Sequence, residues 1–208
     1  AVILAAGIVS RLSPLTETRP KALVPFGCRP LIAGTLDALA ECGVRSVVVV
    51  VGHGGLALRQ YLGERTDLDV ACFTNPGYAT TNTLASLIVA SPGIQGDFLL
   101  LDGDLVFEPA LLVRLLEEGT RLAVDYGRPL DDEAVKVTLQ GERIVAVGKT
   151  LPPGLSPQAE SIGMARIAGG VARRLWEAGR ALLGGGARQA YYEAALALAS
   201  PQQAQRPP

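Results

Sequence analysis

Two uninterrupted apolar runs, Val47-Val48-Val49-Val50-Val51 and Phe98-Leu99-Leu100-Leu101, constrain the fold more than any other feature of the chain. A strand that is apolar on both sides has no polar face to give to water, so each run belongs inside a sheet covered on both faces. Further β-rich runs at 2–4, 70–73 and 122–124 alternate with segments of helical period at 31–41, 56–62, 83–90 and 110–117. Strand alternating with helix implies parallel βαβ units with right-handed crossovers. The expected class is α/β, a three-layer α/β/α sandwich.

The pattern changes after Asp125. Apolar stretches at 134–139 and 143–147 flank the turn signal Gln140-Gly141-Glu142, which predicts a hairpin able to wall a pocket beside the sheet. Helices are expected at 170–183 and 188–199. Residues 200–208 have no apolar period and are expected to fray. A chain of 208 residues can bury a core as one domain, so 1–199 is assigned to a single unit.

Charge and composition exclude several classes. The 19 basic and 20 acidic side chains nearly cancel, leaving no strong field to hold nucleic acid or an anionic membrane. Any polyphosphate ligand must be held by local charge. Apolar residues make up 49% of the chain, but Gly, Pro or a charge breaks each run before the roughly 20 residues of a membrane span. No charged and apolar leader opens the sequence, which starts on Ala1 without an initiator Met; the expectation is a cytoplasmic protein lacking a few residues at its front. Cys28, Cys42 and Cys72 form no C-x-x-C pair and are read as small buried or half-buried side chains rather than disulfide or zinc partners.

The connection after the first strand carries Pro14, Pro20, Pro25 and Pro30, which forbid a continuous helix. It leaves the carboxyl end of a parallel strand, where open α/β folds place their ligands. Arg11, Arg19 and Lys21 lie among Ser and Thr donors, Gly7 permits close backbone approach, and together they form a candidate polyphosphate cradle. It is not a Walker loop, since no G-x-x-x-x-G-K-[ST] occurs. Gly52-His53-Gly54-Gly55 lacks the third glycine of a dinucleotide fingerprint and is read as a helix entry, with His53 a loop residue. Absence of a G-x-G-x-x-G fingerprint after the first strand speaks against a Rossmann dehydrogenase.

A second acidic feature ends the 98–101 run: Asp102-Gly103-Asp104. A spacing of two places both carboxylates on one face if the strand persists, and hard oxygen ligands at a strand end suit Mg²⁺ shared with substrate phosphates. A solvated turn is the alternative. Only two asparagines exist, Asn75 and Asn82, both within NPGYATTNTLASL. Amides read base edges and Tyr78 offers an apolar wall, while Asn82 also suits a helix N-cap and Pro76-Gly77 a turn.

The order LAAG, Arg11, LxPLT, Arg19-Pro20-Lys21 and Leu23-Val24-Pro25 resembles the opening signature of the sugar-phosphate and phosphocholine nucleotidyltransferases. That resemblance implies a Rossmann-like, mixed and mostly parallel sheet of the nucleotide-diphospho-sugar transferase type. It implies that the backbone of Leu4, Ala5, Ala6 and Gly7 meets the base, that Arg11 binds the triphosphate, and that Lys21 binds phosphate at the reacting centre. It also puts the metal aspartate at Asp104, with Asp102 beside it. The Asn75, Tyr78, Asn82 and Ser86-Leu87 segment is similar to the phosphocholine cytidylyltransferase branch, which implies CTP as donor.

The likeness continues through the run from Asp131 to Val137, Lys149 and Glu160-Ser161-Ile162-Gly163, and so covers roughly residues 1–167. By match, Lys149 faces the acceptor phosphate and Glu160 the acceptor's alcohol or amine end; a strand-end lysine and a loop glutamate are the alternatives. Asp131, Asp132 and Glu133 are read as a solvated turn. Tyr126, Trp176, Tyr191 and Tyr192 are the rings available to a quaternary amine, although the last three suit helix packing. One departure is plain: the family's second metal aspartate, in a late W-x-E-I-D strand, has no counterpart before Pro208.

The resemblance thus implies a nucleotide-binding half at 1–125, an acceptor-binding half at 126–199, and a Mg²⁺-dependent transfer of a nucleoside monophosphate, CMP from CTP, to a small phosphorylated alcohol or sugar with release of pyrophosphate. A sugar-1-phosphate enzyme using UTP, dTTP or GTP and a sensor that binds without turnover are the alternatives. The oligomeric state stays open.

Overall fold

The computed structural model of the chain describes residues 1–8, 19–127 and 129–199. In chain order its elements are β1 (Val2–Ala5), β2 (Pro25–Phe26), β3 (Arg29–Pro30), α1 (Leu31–Glu41), β4 (Ser46–Val51), α2 (Gly55–Gly63), β5 (Asp69–Thr74), α3 (Thr83–Ala90), β6 (Phe98–Asp102), α4 (Pro109–Leu115), β7 (Arg121–Asp125), β8 (Lys136–Gln140), β9 (Arg143–Gly148), β10 (Ala159–Ile167), α5 (Gly169–Gly184) and α6 (Tyr192–Ala199).

The two apolar runs lie where full burial requires, as β4 and β6 on either side of β1. With β5 they make the parallel half of a mixed eight-stranded sheet, β5-β4-β1-β6. Residue alternation then fills two cores. Ile3, Val49 and Leu101 meet Leu36 of α1, Leu58 of α2 and Leu112 of α4 on one face. Leu4, Val50 and Leu100 meet Leu87 of α3, Leu175 of α5 and Leu196 of α6 on the other. Helices on both faces complete the three layers.

The antiparallel half is organised by β10, which was legible in the sequence only as a motif. Its last residues pair with β6 (Met164 with Leu101, Ile167 with Phe98) while its first two pair with β8 (Ala159 with Val137). Strand β7 follows the opposite edge, with a bulge between Ser161 and Ala165. The β8–β9 hairpin therefore stands beyond the carboxyl end of β6 and walls that end of the sheet, as the hairpin signal anticipated.

Three expectations are corrected. The helix expected over 188–199 begins at Tyr192, because the preceding residues are drawn onto α3: Asn82 and Leu84 donate backbone N–H groups to the carbonyls of Arg188 (3.2 Å) and Ala190 (3.3 Å). Cys28 is exposed at the β2–β3 turn, whereas Cys42 and Cys72 are half-buried and all three are free. Strand β6 ends at Asp102, so strand alternation does not extend to Asp104. Residues 200–208, Arg11 and most of the proline-rich loop lie outside the described residues. Among the described residues, no helix is long and apolar enough to cross a membrane.

Candidate active site

The carboxyl ends of β1 and β6 open into a cleft of about 190 Å³ lined by Leu4, Ala5, Gly7, Lys21, Ala22, Thr83, Asp102, Gly103 and Asp104. It forms because β1 stops at Ala5 and its chain leaves the sheet, while Gly103 lets the β6 turn press against β1. The Gly103 N–H donates to the Leu4 carbonyl at 3.0 Å. A Cβ at Gly103 would come within 2.8 Å of the Ala5 Cβ.

Lys21 arrives from a single 3-10 turn, Lys21–Leu23, that Pro20 starts with its fixed φ and Ala22 anchors in the core. Its ammonium donates to Asp104 Oδ2 across the cleft, and both side chains remain one-third exposed. The structure thus joins two of the predicted residues that are 83 positions apart in sequence. Leu4, Ala5 and Gly7 line the same cleft, and the Ala6 carbonyl accepts from the His53 N–H at 3.1 Å. Arg11 lies outside the described residues.

Asp102 and Asp104 are not equivalent. As the last residue of β6, Asp102 takes the side of Phe98 and Leu100, facing α3, α5 and α6. Burial, then the neighbouring charges of Glu193 and Asp104, push its carboxyl up to about 8, against the opposing influence of Lys21. Space for it comes from Gly163 at the β10 bulge, where φ is +77° and a Cβ would lie 2.8 Å from Asp102 Cγ. Gly163 is a site residue that sequence reasoning missed.

The asparagine segment divides its labour. Asn75, only 3% exposed, donates to Thr81 (3.2 Å) and Ser86 (3.0 Å), and its Oδ1 accepts from the Gly77 N–H (2.9 Å). All of that holds the turn. Asn82 caps α3, accepting from the Thr83 N–H at 2.8 Å. Tyr78 packs over Gly52, where a Cβ would sit 2.7 Å from the Tyr78 Cβ, and its ring centroid lies 6.4 Å from that of His53.

In the other half, the Lys149 ammonium donates to Glu133 Oε2 at 3.0 Å and lies 4.9 Å from the centre of the Tyr191 ring. Glu160 sits in β10 between Asp125 and Lys136. Strand alternation turns Glu160 with Ile162 toward the α1 and α4 layer, opposite Ser161, so the structure does not gather Lys149 and Glu160 on one face. The segment before α6 ties the halves together. Besides its backbone bonds, the Tyr192 N–H donates to Thr83 Oγ1 (3.1 Å) and Gln189 Nε2 donates to the Thr80 carbonyl (3.0 Å). Trp176 stacks on Phe98 with centroids 5.3 Å apart and is core, and Tyr126 is exposed.

Tyr192 and Glu193, the first residues of α6, are 1% and 4% exposed. Burial pushes the Glu193 carboxyl up to about 7, and burial with the Asp102 and Glu193 charges raises the Tyr192 hydroxyl further above its ordinary value. A signal for Glu193 existed: it falls on the apolar stripe of α6 with Leu196, where a charge is out of place. Asp102 and Asp104 could hold a metal through two carboxylates. Among the described residues no group of three His, Cys, Asp or Glu gathers for one.

With this geometry in view, the model of the MobA-like NTP transferase domain matches residues 1–191. The chain is 45% identical over 131 residues to the CMP-5'-(3-aminopropyl)phosphonate synthase of Streptomyces rubellomurinus, covering 62% of this chain and 21% of that protein. It is 27% identical over 183 residues to the CTP:phosphoglutamine cytidylyltransferase of Campylobacter jejuni, covering 79% of this chain and 71% of the relative. The solved inositol-1-phosphate CTP transferase of T. maritima superposes with a TM-score of 0.72 at 24% identity, over 83% of this chain and 71% of that one, which is a likeness of fold. The chain spans about a third or less of the length of several curated relatives it matches.

Proposed function

Because the chain belongs to the family of MobA-like NTP transferase domains, we propose that it is a Mg²⁺-dependent cytidylyltransferase, joining CMP from CTP to a small phosphorylated or phosphonate-bearing acceptor and releasing pyrophosphate. The observation that carries the reading is Lys21 set against Asp104 at the mouth of a cleft floored by the Leu4 and Ala5 backbone. An isolated ion pair between groups one-third exposed stabilises a fold by at most about 1 kcal/mol. The pair sets a cation suited to a phosphate oxygen beside a carboxylate suited to a metal ion. The cytidylyl compounds in the names of the Streptomyces and Campylobacter relatives favour CTP and an acceptor with a phosphonate or phosphate end.

In this reading an acceptor oxygen forms a bond to the α-phosphorus of CTP in line with the leaving group. The bond from that phosphorus to the α,β-bridging oxygen breaks, and the electron pair leaves with pyrophosphate. Lys21, with Arg11 from the same loop, donates to the phosphate oxygens on which charge grows, and positioning supplies the rest of the acceleration. The donor set fits Mg²⁺, which takes one or two carboxylates and completes its shell with phosphate oxygens and water. Asp104, with Asp102 beside it, would hold the ion, which neutralises triphosphate charge when bound.

Tyr78 and Asn82 are the base-facing groups in this assignment, shaped by the Asn75 network, and Lys149 takes the acceptor's phosphate end. Glu160 stays a candidate for the acceptor's far end. Residues 1–199 are read as one unit with donor and acceptor halves at 1–125 and 126–199, supported by the single sheet to which both contribute. Pyrophosphate release measured with CTP, Mg²⁺ and a panel of phosphorylated alcohols, sugars and aminophosphonates tests the reading. Release that requires both CTP and an acceptor, and that is lost in Lys21→Ala, is expected; nucleotide binding with no release on any acceptor would replace the enzyme with a sensor.

A further inference from the structure

One strand of the sheet keeps an open edge beside a groove. Among the described residues β7 pairs with β10 alone, and a groove of about 700 Å³ follows its other side. Every residue from Thr120 to Val124 lines it, with Leu115 of α4 on one lip and Ile144 of β9 on the other. Successive side chains of a strand point to opposite faces, so lining by consecutive residues means that the groove runs along the backbone edge and not over one face. At the far side of the sheet the edge of β5 is guarded, since the Arg59 guanidinium donates to the Cys72 carbonyl at 3.1 Å. Strand β7 carries none of the usual guards: it holds no proline, and the bulge lies in β10, on its paired side.

The pairing with β10 decides which groups of β7 face the groove. The Ser161 N–H is spent on the Val135 carbonyl, toward β8. Glu160, one residue earlier, therefore turns its N–H and C=O to Asp125, its partner on β7. Alternation along β7 then points the N–H and C=O groups of Ala123 and Asp125 inward and those of Leu122 and Val124 into the groove. Donors and acceptors repeating at strand spacing are matched by an extended strand of polypeptide, as in strand addition to a sheet edge.

We propose that this strand is β7 of a second copy of the chain, paired antiparallel about a two-fold axis at Ala123. The sequence Arg121-Leu122-Ala123-Val124-Asp125 is self-complementary in that register. Arg121 stands opposite the partner's Asp125, Leu122 opposite the partner's Val124, and the small Ala123 meets its own copy at the axis. Leu122 and Val124 exchange both backbone hydrogen bonds on either side of that axis. Arg121 and Asp125 fall on the close, non-hydrogen-bonded positions, where cross-strand charge pairs act most strongly. A parallel pairing would set like charges together. In the single chain Arg121 bonds Glu117 at 2.9 Å, an exposed pair that the partner's carboxylate can replace. Tyr126, 67% exposed at the end of β7, comes opposite the partner's Thr120 and gains cover. The dimer asks nothing of the transferase chemistry, and the two stand or fall separately.

Sedimentation equilibrium of the full chain over a concentration series should show a reversible monomer–dimer equilibrium. Arg121→Asp sets like charges opposite each other at both ends of the ladder and should weaken association about tenfold or more. Adding Asp125→Arg to it exchanges the two signs and should restore most of the loss. Val124→Pro removes an N–H that bonds nothing within the single chain, so it should abolish the dimer while the melting temperature and circular dichroism of the monomer stay close to those of the parent. This variant decides the question if Asp125→Arg disturbs the turn in which Asp125 accepts from the Gly127 N–H. A monomer at every concentration, a dimer indifferent to Arg121→Asp or to Val124→Pro, or a folded double variant that associates as weakly as Arg121→Asp overturns the pairing.

Discussion

Replacing Gly163 by alanine tests whether the bulge in β10 exists to seat Asp102. Two costs can be worked out. At φ +77° an alanine adopts a left-handed backbone, which disfavours L residues by about 1–2 kcal/mol. The new Cβ would overlap Asp102 Oδ2 and approach Asp102 Cγ to 2.8 Å, forcing that side chain from its rotamer at about 0.5–1.5 kcal/mol. The sum, about 1.5–3.5 kcal/mol, corresponds to a fall in melting temperature of roughly 3–14 °C for a domain of this size. Gly154→Ala is the control, since Gly154 has φ +85° but open space where the Cβ would go. It should show the backbone cost alone. Scanning calorimetry and initial rates of pyrophosphate release on both variants separate strain from displacement. Gly163→Ala should be the less stable of the two and should lose most of its turnover. Equal melting temperatures and equal rates would refute the claim that Gly163 makes room for a working carboxylate.

Lys21→Ala should cut the rate of pyrophosphate release by about 10²–10³, the usual effect of removing one preorganised donor, while shifting stability by less than about 1 kcal/mol; initial rates and a thermal melt check both halves of that statement. Asn75→Ala should act the other way, destabilising by a few kcal/mol through stranding of Ser86, Thr81 and the Gly77 N–H, as a denaturant titration would read. Stability should depend on pH through Asp102 and Glu193. Both carboxyls are raised by folding, to about 8 and about 7, so the folded state holds protons that the unfolded chain has released, and metal-free protein should lose stability as pH rises from about 4 to 8. Asp102→Asn should flatten that slope in denaturant titrations at a series of pH values; a slope unchanged by the substitution contradicts the assignment.

Much of the molecule was legible because its parallel half obeys local rules. The runs at 47–51 and 98–101 are so apolar that only the centre of a covered sheet accommodates them, and α1 and α3 occupy the spans expected from their period. Strand β10 was harder, since its Gly163 bulge interrupts alternation and its pairing with β6, β7 and β8 is set by partners far away in sequence. The start of α6 was misplaced for a related reason. Nothing within 188–191 opposes helix, and the competing hydrogen bonds come from Asn82, Thr83 and Leu84.

The site shows the same division. The proline-punctuated loop and the Asp-Gly-Asp turn each read as a candidate phosphate or metal site, and the contact between Lys21 and Asp104 brings them together at one cleft. What the sequence hid is which carboxylate faces where. Asp102 belongs to the α6 side and keeps company with Tyr192 and Glu193, and Glu160 turns to the opposite layer, because strand parity and the bulge decide orientation and neither is local to the motif.

The measurement closest to the central claim is ³¹P NMR of CTP, Mg²⁺ and 2-aminoethylphosphonate incubated with the protein. Cytidylyl transfer predicts one pyrophosphate per CTP consumed and a new pair of coupled resonances, in which the α-phosphorus of CTP shares an oxygen with the phosphonate phosphorus. Conversion of CTP to CDP and inorganic phosphate, or to free CMP with the phosphonate resonance unchanged, would contradict it.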